Sequence, residues 1–124
     1  MAAGVGIVLS FLQSCKAVAY IPHVIEGEKI VVKKSDLAEH PYVVIQPAGL
    51  PAPVYLCRLE NGEYSALLLQ CTHRGCELRP VGRELHCPCH GSVFDKTGEV
   101  LESPAELPLR RFSVLSDDQN IYIF

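Results

Sequence analysis

Two short stretches decide how this chain is read: Cys71-Thr72-His73-Arg74-Gly75-Cys76 and Cys87-Pro88-Cys89-His90-Gly91-Ser92. Each half offers one Cys-His pair, one further cysteine and a glycine. In a strand-loop setting, Cys-x-His and Cys-x-x-His each present two ligands to one side of a tight loop. Gly75 and Gly91 supply the backbone freedom such loops need. Two loops of this kind facing each other could hold a binuclear centre. The ligand types alone are equally compatible with one tetrahedral zinc. Zinc-finger spacing, however, puts cysteine with cysteine and histidine with histidine, whereas each half here is mixed.

Outward from these loops, the chain is one domain's worth of sequence at 124 residues. With 48% apolar residues it can build a core unaided, so its six cysteines are chemical rather than props for a weak core. Four of the six fall between positions 71 and 89, and Cys15 and Cys57 stand apart. A structural disulfide framework would spread its cysteines to close long loops. A formal charge of −3 with no offsetting Lys/Arg cluster argues against nucleic-acid binding.

From Ile21 onward the pattern is strand-like, with no long helical period. Lys29 to Lys33 and Tyr42 to Ile45 are short β-branched runs, and Ser35 to Glu39 between them predicts one helical turn capped by Ser35. Gln46 to Pro53 is a proline-rich loop. Val54 to Leu59 and Tyr64 to Leu69 are strands joined at Asn61-Gly62, a strong hairpin signal. Further strands are expected around Val93-Phe94, Val100-Leu101, Arg110 to Leu115 and Ile121 to Phe124. Turns at Lys96-Thr97-Gly98 and Asp117 to Asn120 separate them. Many short strands with frequent turns predict an all-β sandwich or barrel-like domain.

The two loops closely resemble the Rieske fingerprint, down to the Cys-Thr-His and Cys-Pro-Cys-His-Gly-Ser strings, and with their flanking strands they cover residues 54 to 115. The resemblance implies an antiparallel β-sandwich with an inserted cluster-binding subdomain, occupying residues 26 to 124. It implies one [2Fe-2S] cluster with Cys71 and Cys87 on one iron and His73 and His90 on the other. It also implies a Cys76–Cys89 disulfide, as in the Rieske proteins of bc-type complexes and arsenite oxidase; such a bond suits an oxidising compartment. Ser92 matches the serine that donates a hydrogen bond to a bridging sulfide. The companion tyrosine is replaced by Phe94, which cannot donate, so a potential below the top of the range is expected. Arg74 stands where bc-complex proteins often have leucine, placing a cation at the docking tip. Glu102-Ser103-Pro104-Ala105 takes the place of the loop that covers the cluster, with Pro104 as its proline.

Residues 1 to 14 hold an apolar run, Ile7 to Leu12, that is shorter than the ~20 residues needed to span a bilayer. Leu12-Gln13-Ser14-Cys15 resembles a lipoprotein signal, although the basic n-region of a secretory signal is missing. The expectation is a signal over 1 to 14, lipidation at Cys15 and a flexible tether over 15 to 25; the alternative is an N-terminal helix packed on the domain with Cys15 buried. The expected function is single-electron transfer by an exported, membrane-tethered carrier on the periplasmic side or cell envelope, between a redox-protein donor and acceptor. Alternatives are an electron-relay subunit of a larger oxidoreductase, quinol-oxidising or arsenite-oxidase-like, and a zinc-stabilised binding module. Quinol enters only within such a complex, and catalysis by the chain alone is not expected. His86 reads as a strand-end surface residue, and His23 and His40 lack a partner motif. Cys57 reads as a buried small hydrophobe, and Tyr55, Tyr64, Phe112 and Tyr122 as core or sheet-face aromatics.

Overall fold

The computed structural model describes residues 17–124, and its architecture follows from one sheet that is apolar on both faces. In chain order the elements are β1 (Val24–Glu26), β2 (Lys29–Lys33), the helical turn α1 (Lys34–Leu37), β3 (Tyr42–Ile45), β4 (Val54–Arg58) and β5 (Tyr64–Leu68). There follow β6 (Arg79–Val81), β7 (Glu84–His86), β8 (Val93–Asp95), β9 (Val100–Glu102), β10 (Arg111–Phe112), β11 (Val114–Ser116) and β12 (Asn120–Ile123). They form three antiparallel four-stranded sheets. The central one has the order β10-β5-β4-β3, flanked by β1-β2-β12-β11 and by β6-β7-β8-β9.

In the central sheet Val44 lies opposite Tyr55, and Tyr55 opposite Leu67; Val43 lies opposite Leu56, and Leu56 opposite Ala66. Because side chains alternate across a strand, these are two faces. Val43, Ile45, Val54, Leu56 and Ala66 pack on Ile30, Val32, Ile121 and Ile123 of the β1-β2-β12-β11 sheet. Val44, Tyr55, Cys57 and Leu67 pack on Leu78, Leu85, Phe94 and the buried cysteines Cys71 and Cys87. Double burial is why β3 to β5 read as unbroken apolar runs rather than alternating ones. Each fully buried aliphatic side chain here contributes about 1.5–3 kcal/mol of transfer free energy.

The all-β expectation holds, and the Asn61-Gly62 hairpin forms with Gly62 at φ 85° and the Leu59 carbonyl accepting its N–H at 3.0 Å. Four local readings need correction. The stretch Arg110 to Leu115 is two strands, because the chain changes sheets at Ser113: Phe112 pairs with Ala66, and Val114 with Ile123. The helical turn begins at Lys34, with Lys33 at the cap and no side-chain cap bond, so Ser35 does not cap it. The hairpin β6–β7 lies between the two cysteine loops, where no strand is expected; Pro80 and Gly82 disguise it, and only pairing across Leu85 makes it a strand pair. Finally, the expected tether over 15 to 25 is not free along its described part. The Ala19 carbonyl accepts the Val44 N–H at 2.9 Å, Ile21 N–H donates to the Val44 carbonyl at 3.1 Å, and Val24–Ile25 are in β1. Among the described residues no helix is long and apolar enough to cross a membrane.

The β8–β9 turn is built by one carboxylate. Asp95 accepts hydrogen bonds from Thr97 N–H at 2.8 Å, the Thr97 hydroxyl at 2.7 Å and Glu99 N–H at 3.1 Å. Gly98 closes the turn at φ 92°, where an added Cβ would come within 3.0 Å of Leu67 Cδ2. Partial burial raises the Asp95 pKa, but these bonds outweigh it and hold the carboxyl below its ordinary value. A carboxylate with a depressed folded pKa stabilises the fold above about pH 4, the value of an exposed aspartate, and loses that contribution as pH falls through the folded pKa. Asp95→Ala is therefore expected to cost about 1–2 kcal/mol at neutral pH. In denaturant melts the gap between variant and parent should close on acidification; a gap constant with pH would contradict the turn's dependence on the ionised form.

Candidate metal centre

Residues 69–110 leave and re-enter the central sheet at one place: Leu68 N–H donates to the Arg110 carbonyl at 3.0 Å, and Leu67 pairs with Arg111. The β6-β7-β8-β9 sheet and both cysteine loops belong to this insertion. The loops share one backbone design. In the first, Cys71 N–H donates to the Cys76 carbonyl at 2.8 Å, and Gly75 N–H returns to the Cys71 carbonyl at 2.8 Å. In the second, Cys87 N–H donates to the Ser92 carbonyl at 2.8 Å, and Gly91 N–H to the Cys87 carbonyl at 3.1 Å. Gly75 and Gly91 sit at φ 79° and 82°, a left-handed geometry that favours glycine at the fifth residue of each loop.

The loops face each other and are joined by a Cys76–Cys89 disulfide with a Cα–Cα distance of 6.5 Å. Cys71 and Cys87 are buried thiols in the core under the loops. His73 and His90 are exposed, with ring centroids 5.0 Å apart and planes at 89°. Thiol is thus beside thiol on the inner side and imidazole beside imidazole on the outer side. Burial raises the Cys87 thiol, but backbone N–H groups of His90 and Cys89 and the Cys71 thiol outweigh it, so its pKa falls below the ordinary value. N–H groups directed at a sulfur favour the thiolate, the form that ligates metal. The ligand atoms of Cys76, Cys87 and Cys89 lie within 4.8 Å of one another. Two of those sulfurs are bonded to each other, so that trio cannot ligate as three thiolates.

A third segment closes over the loops. Ser92 is fully buried, and its Oγ accepts the Ala105 N–H at 3.0 Å. Ala105 and Leu109 belong to the same core as the two thiols, and the Ser103–Pro104 peptide is cis. Thr72 Oγ–H donates to the Leu107 carbonyl at 2.6 Å, fastening the first loop to that segment. Sequence reasoning missed this bond; a threonine between Cys71 and His73 was its only signal. Phe94 is fully buried among the thiols, while Arg74 is exposed on the first loop. His86, at the end of β7, pairs with Glu84 at 3.2 Å. Cys57 is buried and free, as read, and Tyr55 is in the core. Cys15 lies outside the described residues.

The donor set suits a binuclear iron-sulfur group: paired thiols inside, paired imidazole nitrogens outside, and a disulfide holding the spacing. The Rieske [2Fe-2S] domain model matches residues 27–113. Cytochrome b6-f complex iron-sulfur subunit 2 of Nostoc is 40% identical over 81 residues, covering 61% of this chain and 46% of its own length. Cytochrome b6-f complex iron-sulfur subunit 1 of Synechocystis is 39% identical over 92 residues, covering 70% and 52%. The chain thus spans about half the length of these curated relatives. The crystal structure of a cyanobacterial plasma membrane Rieske protein from Synechocystis superposes with a TM-score of 0.64 at 28% identity, over 74% of this chain and 94% of that one. With the loops, the inserted sheet and the central sheet all inside the matched region, this chain belongs to the Rieske [2Fe-2S] domain family, which implies one such cluster per chain.

Proposed function

We propose that the chain carries single electrons, with Cys71 and Cys87 holding one iron of the cluster and His73 and His90 the other. The observation that carries this reading is the segregation of buried paired thiols from exposed paired imidazoles. A zinc-stabilised module would instead gather all four donors around one ion. When bound, the cluster supplies a one-electron centre with a potential between about −150 and +300 mV. The protein's part is to exclude water and direct hydrogen bonds. Phe94 and Leu85 seal the thiol side, and the exposed imidazoles face a partner. Ser92 accepts from Ala105 through its oxygen, leaving the hydroxyl hydrogen for a sulfur acceptor. Phe94 fills the neighbouring space without donating.

A second reading, that of an electron-relay subunit in a quinol-oxidising complex, is favoured by the relatives that are named as b6-f complex subunits. The cation at Arg74 on the exposed tip departs from the apolar tip expected there, and for that reason the free or tethered carrier is preferred. Membrane tethering rests on Leu12-Gln13-Ser14-Cys15. Several acyl chains at Cys15 would be required, since one gives only marginal binding. Signal and lipid anchor together would place the domain on the outer side of a bacterial membrane, with redox proteins as donor and acceptor. Co-purification of a large partner at fixed stoichiometry would favour the relay-subunit reading.

The purified protein should be red-brown, contain iron and sulfide in equal amounts, and show on reduction the low average g-value of nitrogen-ligated iron. Replacing His73 or His90 with alanine should abolish that signal, whereas His86→Ala should keep it. Zinc in place of iron and sulfide would overturn the assignment.

Peptide mapping of the native protein without reductant should recover Cys76 and Cys89 in one linked species. It should also recover an N-terminal peptide that starts at acylated Cys15. Free alkylation of both Cys76 and Cys89 would contradict the clamp, and an intact Met1 peptide from a soluble fraction would contradict the anchor.

For tuning, Phe94→Tyr is expected to raise the reduction potential and Ser92→Ala to lower it. A hydrogen bond to a charged acceptor is worth about 1.5–3 kcal/mol, and in a one-electron couple about 59 mV is a tenfold change in equilibrium, so voltammetry resolves either shift. Shifts in the same direction would mean that packing, not donation, sets the potential.

A further inference from the structure

The segment Val18 to Ile21 is fastened to the β3 edge of the central sheet. Val44 N–H donates to the Ala19 carbonyl at 2.9 Å, Ile21 N–H donates to the Val44 carbonyl at 3.1 Å, and Tyr20 forms a parallel bridge with Val44. Side chains alternate along such a segment. Ala19 and Ile21 pack on the core shared with β2 and β12, and Val18 packs on the core of the insertion. Tyr20, on the side of Val18, stands 57% exposed, and Val81 of β6 is 54% exposed. Both border one cleft of about 340 Å³, together with Val18, Pro53, Arg79 and Pro80. The edge strand that follows, β1, exposes Val24 and Ile25 as well.

Single exposed apolar residues are common on proteins, so the place of these is what matters. Cys15 stands four residues before Ala19. Four residues reach at most about 14 Å, close to the ~13 Å radius of gyration of a domain of this size. An acyl anchor at Cys15 therefore holds this edge against the bilayer surface, whereas a longer arm would leave the domain free to turn. Tyrosine suits that depth, with its ring among acyl chains and its hydroxyl in the wet layer. The cleft carries one cation, Arg79, and one acid, Glu77, a balance that suits zwitterionic headgroups. We propose that the domain sits directly on the membrane, with Tyr20 and Val81 at the boundary between headgroups and acyl chains. The proposal rests on the lipid-anchored reading of Cys15 and adds an orientation to it. Redox partners then come to a domain held by one edge, not to one swinging on a long arm.

The chain contains no tryptophan, so a single introduced indole reports its own surroundings. Tyr20→Trp and Val81→Trp place one in the proposed seat. Leu115→Trp is the control, at a residue 65% exposed on β11, the opposite edge strand of the β1-β2-β12-β11 sheet. Each variant is made as the full, cluster-loaded protein and reconstituted into phosphatidylcholine vesicles, with and without bromine on the upper acyl chain. Bromine quenches only indoles that it meets. Tyr20→Trp and Val81→Trp should lose emission in brominated vesicles relative to plain ones, and Leu115→Trp should emit equally in both. All three should melt like the parent, since each site is exposed. Protein that floats with the vesicles while either seat variant keeps its emission overturns the proposal and leaves the anchor standing. Quenching of Leu115→Trp to the same degree does likewise. Protein that does not float with the vesicles overturns the anchor and the seat together.

Discussion

The structure depends on the central sheet being buried on both faces. β4 and β5 carry apolar side chains at nearly every position, and the register assigns alternate ones to two separate cores. One core joins the sheet to β2 and β12 and gives the domain its base. The other contains the two thiols, so the residues that stabilise the insertion also exclude water from the inner side of the metal centre. Weakening this second core would disturb stability and the site together, because they share side chains such as Leu67, Leu85 and Phe94.

The insertion can be short because its ends are adjacent. β5 and β10 are neighbours in the central sheet, and the 69–110 segment returns to where it left. Within it, each cysteine loop is closed by its own pair of backbone hydrogen bonds. The disulfide then fixes one loop against the other, and Thr72 and Ser92 fasten the proline segment over both. Local closure sets the shape of each loop; the tertiary bonds set the distance between them. The second task is the harder one, because it rests on bonds between residues far apart in the chain.

Bonds between distant residues also tie the insertion to the central sheet. The Lys96 carbonyl is held by Ser65, and the Lys96 side chain reaches Glu60, so the β8–β9 turn is tied to the central sheet by both backbone and charge. Asp95 organises that turn from within, and Gly98 lets it approach Leu67.

Much of this was legible in the chain itself. The paired Cys/His strings, with glycine at the same offset in each, mark the two loops, because residue type and loop closure are local properties. The strands β3, β4 and β5 and the Asn61-Gly62 hairpin were legible for the same reason: branched apolar runs and a turn dipeptide need no distant partner to be recognised. What tertiary structure decided are the features that require a neighbour. Arg110 to Leu115 reads as one strand and becomes two, because Ala66 and Ile123 claim its halves for different sheets. The β6–β7 hairpin is hidden by proline and glycine until Leu85 finds its core. The segment after Ala17 reads as a tether and is bound by Val44. The Thr72–Leu107 and Ser65–Lys96 bonds join residues far apart in the chain, and no spacing rule relates them. The sequence by itself determined which groups could bind an iron-sulfur cluster; only packing on a doubly buried sheet decided that thiols turn inward and imidazoles outward.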